Sequence, residues 1–231
     1  MGASKIDLLE FERPLLDDGE VVVGLDEVGR GALAGPLFVG AVVLSSLRAP
    51  PTGLNDSKVL SRRQREDLEV PLREWCDDWA LGSASALEID EWGLRVALAV
   101  AATRALQGLG CVPTYALVDG PFNFLSVARP TLAFSYVVAP PSFADLACSA
   151  IVKGDRRSAT IAAASVLAKV ARDLVMVALH EECARYEWSS NKGYGTPAHL
   201  AALRRYGPVG HHRRSWSLPE VSAGGGETKI S

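Results

Sequence analysis

The stretch Val21-Val22-Val23-Gly24-Leu25-Asp26-Glu27-Val28-Gly29-Arg30-Gly31 decides the fold. Residues 21–25 are a β-branched apolar run too short for a helix, which reads as a buried strand. Two carboxylates, Asp26 and Glu27, follow it at once. Residues 37–44 are a second such run. The Gly-rich segment 29–35 with Pro36 joins the two, so the pair is predicted to form a hairpin.

Working outward, Pro50, Pro51 and Gly53 mark a loop, Ser61 caps a charged surface helix, and 79–87 alternates as a third strand. Residues 89–109 have helical apolar spacing and end at Gly108 and Gly110. Residues 115–118 form a short buried strand closed by Asp119-Gly120-Pro121. Between 122 and 151, the strand-like run 133–138 is read as a strand among Pro-containing loops. From Ser158 to about 185 there is no Gly or Pro, and Ala162, Ala163, Ala164 and Ala168 suit a helix lying close to a sheet. Thr196 caps a further helix with Pro197 at its first position, ending near Gly207. Residues 1–19 are a polar lead-in, 20–218 one domain with a helical C-terminal part, and 219–231 a tail expected to be disordered.

This order predicts an α/β fold, a mixed sheet with helices packed on it. A right-handed crossover would lay the strand at 115 parallel to the first. Asp26 and Asp119 would then meet at the carboxyl ends of the strands, where open α/β sheets bind ligands.

Composition narrows the classes of function. With 48% hydrophobic and 22% charged residues in 231, the bulk of the chain is folded rather than disordered. The 24 basic and 27 acidic residues leave a net charge of −3, so any nucleic-acid contact must come from local charge. Cys76, Cys111, Cys148 and Cys183 form no C-x-x-C pair and read as reduced residues of a cytoplasmic protein. No signal-like stretch and no run of eighteen apolar residues occurs, so no membrane role is expected.

Asp26, Glu27, Asp119 and Asp155 all stand at element ends. Singly, each is an ordinary turn or capping residue. Converged, two carboxylates about 4 Å apart repel by ~4 kcal/mol at an effective dielectric near 20, so the cluster needs protons or cations. Oxygen ligands without Cys or His favour Mg²⁺ or Mn²⁺, and two such ions suit phosphodiester hydrolysis. A nuclease follows as the expectation. Gly29-Arg30-Gly31 would bring bare backbone N–H groups to a sugar or phosphate, and Asn55-Asp56-Ser57-Lys58 offers further donors. Residues 188–219 hold no acid but five basic residues, Lys192, Arg204, Arg205, Arg213 and Arg214, and three of the four histidines, which suits a polyanion. Gly29, Gly31 and Ala34 also match a dinucleotide fingerprint, with Asp56 downstream. That motif must open a helix, whereas Pro36 and the β-branched Val39, Val42 and Val43 follow.

Six ordered blocks resemble ribonuclease HII, the type 2 ribonucleases H. They are 24–31, the Leu54-Asn55-Asp56-Ser57-Lys58 loop, Asp119-Gly120, Lys153-Gly154-Asp155 with the helix after it, Lys192-Gly193-Tyr194-Gly195-Thr196, and His211-His212-Arg213-Arg214-Ser215. The resemblance implies a ribonuclease H-like fold, with a mixed five-stranded sheet flanked by helices and a C-terminal helical extension. It implies hydrolysis of RNA in RNA–DNA hybrids and incision 5′ of a single ribonucleotide in duplex DNA, leaving 3′-hydroxyl and 5′-phosphate ends. Asp26, Glu27, Asp119 and Asp155 would be the metal-binding carboxylates, taking Mg²⁺ or Mn²⁺. The Gly29-Arg30-Gly31 backbone would contact the 2′-hydroxyl, the group that distinguishes RNA from DNA, and Tyr194 would support the junction. Asn55, Ser57, Lys58, Ser165 and Lys192 are the remaining substrate-contact candidates, and replication or repair proteins are the class of protein partner suggested.

Two features depart from the family pattern. Pro121 stands where Asn is common, and the long stretch between Asp119 and Asp155 leaves Asp145 as a rival fourth ligand; Asp155 is preferred because its flanking helix matches. Asp173 reads as a helix-surface partner for Arg172 or Lys169. The alternatives are a resolvase-type DNA nuclease of the same fold and a non-catalytic hybrid-binding protein.

Overall fold

In the computed structural model, residues 7–55, 57–126, 143 and 145–221 are described. Strands β1 (Val22–Val28) and β2 (Leu37–Leu44) pair antiparallel, with Asp26 opposite Gly40, as the hairpin expectation requires. β3 (Asp78–Ala84) adds antiparallel to β2. β4 (Tyr115–Asp119) lies parallel to β1, and β5 (Ala147–Ile151) parallel to β4, which gives a five-stranded mixed sheet of order β3-β2-β1-β4-β5. The crossover places β4 beside β1 as predicted.

Alternation along β1 and β4 assigns the two faces. Val22 and Leu117 belong to one core, with helices α2 (Arg62–Trp75) and α5 (Ala159–Glu182). Val23, Leu25, Ala116 and Val118 belong to the other, against α4 (Leu94–Gln107). Close approach of helix to sheet is built from small residues: a Cβ on Gly24 would fall 2.3 Å from the Thr160 carbonyl carbon, and one on Gly40 2.3 Å from the Ala164 oxygen. Thr160 and Ala164, one turn apart, therefore mark the line along which α5 meets the sheet, and Ala162 and Ala163 are buried beside it.

The predicted third strand ends earlier than its alternating pattern suggests. Ser85 accepts the Glu88 N–H while the Glu88 carboxylate accepts the Ser85 N–H, and this reciprocal cap starts α3 (Ala86–Trp92). The single helix expected over 89–109 is two, α3 and α4, divided at Gly93, whose φ of +79° a β-carbon would disfavour. β5 was not foreseen; the strand expected at 133–138 lies outside the described residues. The polar lead-in includes α1 (Glu12–Asp17), with Leu9 and Leu16 in the core. Glu12 is fully buried and accepts from Ser158 Oγ (2.6 Å), Thr160 N (2.9 Å) and Thr160 Oγ1 (2.8 Å) at the start of α5, where a negative charge complements the helix dipole.

Beyond α5, α6 (Trp188–Asn191) and α7 (Pro197–Tyr206), capped by Thr196, form the helical extension around Tyr186, Trp188 and Leu203. Ala34 from the β1–β2 connection is buried in the same cluster. Among the described residues, no helix is long and apolar enough to cross a membrane.

Candidate active site

The last residues paired between β1 and β4 are Leu25 and Val118, so Asp26 and Asp119 are the next positions on two neighbouring parallel strands. By alternation both face α5. One oxygen from each of Asp26, Glu27 and Asp119 lies within 4.8 Å of the others, a grouping able to hold a metal ion. Asp26 is 2% exposed. Burial, then the Asp119 carboxylate, raise its pKa well above the ordinary range, against a hydrogen bond from Ser165. Burial also raises Glu27, opposed by Arg30, whose Nη1 lies 3.3 Å from Glu27 Oε1. Both shifts come first from burial; at Asp26 the Asp119 and Glu27 carboxylates add to it, whereas at Glu27 Arg30 offsets more than Asp119 adds. At an effective dielectric near 20, a pair of charged oxygens some 5 Å apart costs about 3 kcal/mol, and a divalent cation turns that cost into attraction.

Asp155 reaches the site through the turn after β5. Lys153 adopts φ +57°, and the chain folds back so that Asp119 Oδ1 accepts the N–H groups of Gly154 at 2.7 Å and Asp155 at 3.4 Å. The Asp155 side chain is buried, with Oδ2 3.2 Å from Lys58 Nζ. It is not one of the three grouped carboxylates, but it stands directly behind Asp119. The rival Asp145 is exposed and outside the group. Asp173 pairs with Lys169 at 2.6 Å as expected, but it is partly buried beside Arg65 of α2 rather than on an open helix surface.

The other predicted residues fall around this centre. Ser57 Oγ is 2.7 Å from Ser165 Oγ, so Ser57, Ser165 and Asp26 form one chain of hydrogen bonds, while Asp56 of the same sequence block lies outside the described residues. Asn55 is exposed on the same loop. Gly29 has φ +86°, and Arg30 and Gly31 are exposed. The Tyr194 ring lies 5.4 Å from Arg172 Cζ and 6.0 Å from Lys169 Nζ. Lys192 bonds the Ser189 carbonyl through Nζ. A strand, β2, follows Gly29–Pro36, so the dinucleotide fingerprint has no helix to open.

The polyanion expectation for residues 188–219 is only partly met. Arg204, Arg205 and Arg214 are exposed, but Arg213, His199 and His212 are interior. Arg213 and Arg172 bind backbone carbonyls of residues 29–36, a role that went unassigned in the sequence. A signal was present: Arg172 follows Ser165 and Ala168 at helical spacing on a buried face.

A sequence profile described as Ribonuclease HII matches residues 23–218. The chain belongs to the ribonuclease HII family. It is 44% identical over 199 residues to the Streptomyces griseus ribonuclease HII, covering 85% of this chain and 77% of that one. Identity to the Burkholderia mallei ribonuclease HII is 42% over 216 residues, covering 94% and 90%. Among solved structures, ribonuclease H2 from Pyrococcus horikoshii superposes with a TM-score of 0.60 at 26% identity, over 85% of this chain and 94% of that one. As a ribonuclease HII, the protein is a nuclease of the ribonuclease H type that acts on RNA–DNA hybrids.

Proposed function

We propose that this ribonuclease HII also incises 5′ of single ribonucleotides embedded in duplex DNA, leaving 3′-hydroxyl and 5′-phosphate ends, with Asp26, Glu27, Asp119 and Asp155 holding two Mg²⁺ or Mn²⁺ ions. The observation that carries the reading is the grouping of Asp26, Glu27 and Asp119 within 4.8 Å, two residues from the Gly29-Arg30-Gly31 segment, in which Arg30 and Gly31 are exposed. The donor set fits hard divalent ions, being all carboxylate, partly buried and repulsive when empty. When bound, such ions activate a water and stabilise the departing oxygen.

The chain's own residues supply the rest. Ser165 orients Asp26, and the Gly154 and Asp155 N–H groups orient Asp119. Lys58, beside Asp155, offers a cation for a phosphate. The backbone of 29–31 contacts the 2′-hydroxyl and Tyr194 supports the junction. Asn55 and Lys192 border the same strand of substrate, whereas Ser57 and Ser165, both buried, act through Asp26 rather than as direct substrate contacts. Four free thiols suit the cytoplasm, and replication or repair proteins are the fitting partners for such a substrate.

The test is a labelled duplex carrying one ribonucleotide, incubated with and without Mg²⁺ or Mn²⁺. Cleavage only with metal, mapped to the 5′ side of the ribonucleotide, is the expected result. Equal cleavage of an all-DNA duplex of the same sequence would overturn it.

A further inference from the structure

Two fully buried arginines hold the segment that carries Gly29-Arg30-Gly31, and neither is ion-paired among the described residues. Arg213 donates from Nη2 to the carbonyls of Gly29 (2.7 Å) and Gly35 (3.1 Å), and from Nη1 to that of Arg30 (2.8 Å). Arg172 donates from Nε to Pro36 (2.8 Å), from Nη2 to Ala34 (3.2 Å) and from Nη1 to Lys192 (3.0 Å). Burial and the neighbouring Arg172 push Arg213 down to about 10, which leaves it a cation at neutral pH. Taking two guanidinium charges out of water costs several kcal/mol each, and apolar side chains of similar volume often stabilise a core as well. The arrangement therefore calls for a reason besides stability.

Peptide planarity supplies one. In a trans peptide, the C=O of one residue and the N–H of the next point in opposite directions. With the Gly29 and Arg30 carbonyls anchored on Arg213, the N–H groups of Arg30 and Gly31 are turned away from it. Both residues are exposed, neither N–H has an acceptor among the described residues, and a Cβ on Gly31 would meet nothing within 4 Å. Two successive unpaired N–H groups facing open space are a ready site for an oxygen lone pair. Arg172 joins the same segment to Tyr194. It holds the Lys192 carbonyl and lies under the Tyr194 ring, while the Gly193 carbonyl accepts the N–H of Leu33 at 2.8 Å.

We propose that Arg213, with Arg172, is a positioning residue for recognition of the ribose 2′-hydroxyl, aiming the Arg30 and Gly31 N–H groups and setting their distance from Tyr194. This rests on the reading of the 29–31 backbone as the 2′-hydroxyl contact. Lysine keeps the charge but not the planar fork that holds several carbonyls at once.

The experiment compares dissociation constants, in EDTA, for a duplex with one ribonucleotide and for the all-DNA duplex of the same sequence. Arg213→Lys should lower the preference for the ribonucleotide about tenfold while all-DNA binding stays within twofold; Arg172→Lys should do the same more weakly. A merely structural role would weaken both duplexes alike, and that result, or an unchanged preference in the folded variants, overturns the proposal. If the lysine variants lose their cooperative unfolding transition, the Arg213 side-chain NMR resonances of the wild-type protein decide. They should shift with the ribonucleotide duplex and not with DNA, and the same shift with both counts against the idea. Should the wild type itself show no preference, the 2′-hydroxyl reading fails; a preference kept in both variants defeats only the role of the arginines.

Discussion

Asp119 Oδ1 accepts the backbone N–H of Gly154 at 2.7 Å, so one carboxylate of the candidate site also holds the turn that delivers another, Asp155. Asparagine keeps an oxygen in that position but removes the charge. Asp119→Asn should therefore preserve the turn, with a melting temperature in EDTA at or above that of the wild type because repulsion with Asp26 and Glu27 is relieved. Cleavage should fall by about a thousandfold, the several kcal/mol that metal-assisted charge stabilisation supplies. Single-turnover cleavage and thermal melts measure both, and an unchanged rate would remove Asp119 from the chemistry.

Metal should stabilise the folded protein through the same cluster. An ion at a hundred times its dissociation constant adds about 3 kcal/mol to a state that alone binds it. Mn²⁺ or Mg²⁺ is expected to raise the melting temperature of the wild type by several degrees and that of Asp119→Asn by much less. Identical shifts in both proteins would argue against the site.

The Tyr194 ring face lies within cation–π range of Arg172, at 5.4 Å, and of Lys169, at 6.0 Å. Tyr194→Ala should impair incision at a lone ribonucleotide more than cleavage of a long hybrid, where neighbouring ribonucleotides offer alternative registers. Tyr194→Phe separates the ring from the hydroxyl. Equal losses on every substrate would count against a junction role.

Acid should weaken the helical extension. The His199 Nδ1–H donates to the Tyr194 carbonyl at 2.9 Å, because a carbonyl only accepts; the single lone pair of His199 Nε2 is then shared between the Trp188 Nε1–H and the His212 Nε2–H, each at 3.1 Å. His212 Nδ1 accepts the Val209 N–H at 3.0 Å. Both rings are thereby neutral, and burial together with His199 lowers His212 to about 4. The unfolded chain takes up its proton near pH 6.5 while the folded one resists until about 4. The stability is thus present above pH 6.5 and lost across that window, about 3 kcal/mol in all. Melting curves from pH 7 to 4 should fall more steeply for the wild type than for His212→Gln; parallel curves would sink the assignment.

Gly40→Ala would place a methyl 2.3 Å from the Ala164 carbonyl oxygen. Overpacking of that kind costs about 1–3 kcal/mol, or roughly 2–4 °C per kcal/mol in a chain of this size. Because α5 carries Ser165, activity should decline as well. A melting temperature within a degree of the wild type would mean that the helix moves without penalty.

The local rules that act between near neighbours were legible in the sequence. Residues 21–25 and 37–44 announced two strands by β-branching, Ser61 and Thr196 announced helix starts, and Asp26, Glu27 and Asp119 near the carboxyl ends of their strands announced the site, although β1 runs on to Val28 and holds Asp26 and Glu27 within it rather than ending before them. Where two local rules competed, the pattern alone misled: alternation through residue 87 lost to the Ser85 and Glu88 cap, and Gly93 divided a helix that periodicity would have kept whole. β5 was hidden because Ala147–Ile151 is short and half-exposed, with little apolar pattern to find.

By itself, the sequence determined the α/β class, the family and the acids that stand at the strand ends, because each follows from residues close together in the chain or from ordered motifs. Only the tertiary structure decided that Arg213 lies buried on the carbonyls of 29–36 rather than facing a polyanion, that Arg172 joins it there rather than pairing with Asp173, and that His199 and His212 are a neutral interior pair. The physical reason is that a side chain's charge and hydrogen-bonding capacity are fixed by its identity. Whether water, a carboxylate or a distant carbonyl satisfies them depends on which segments the fold brings together.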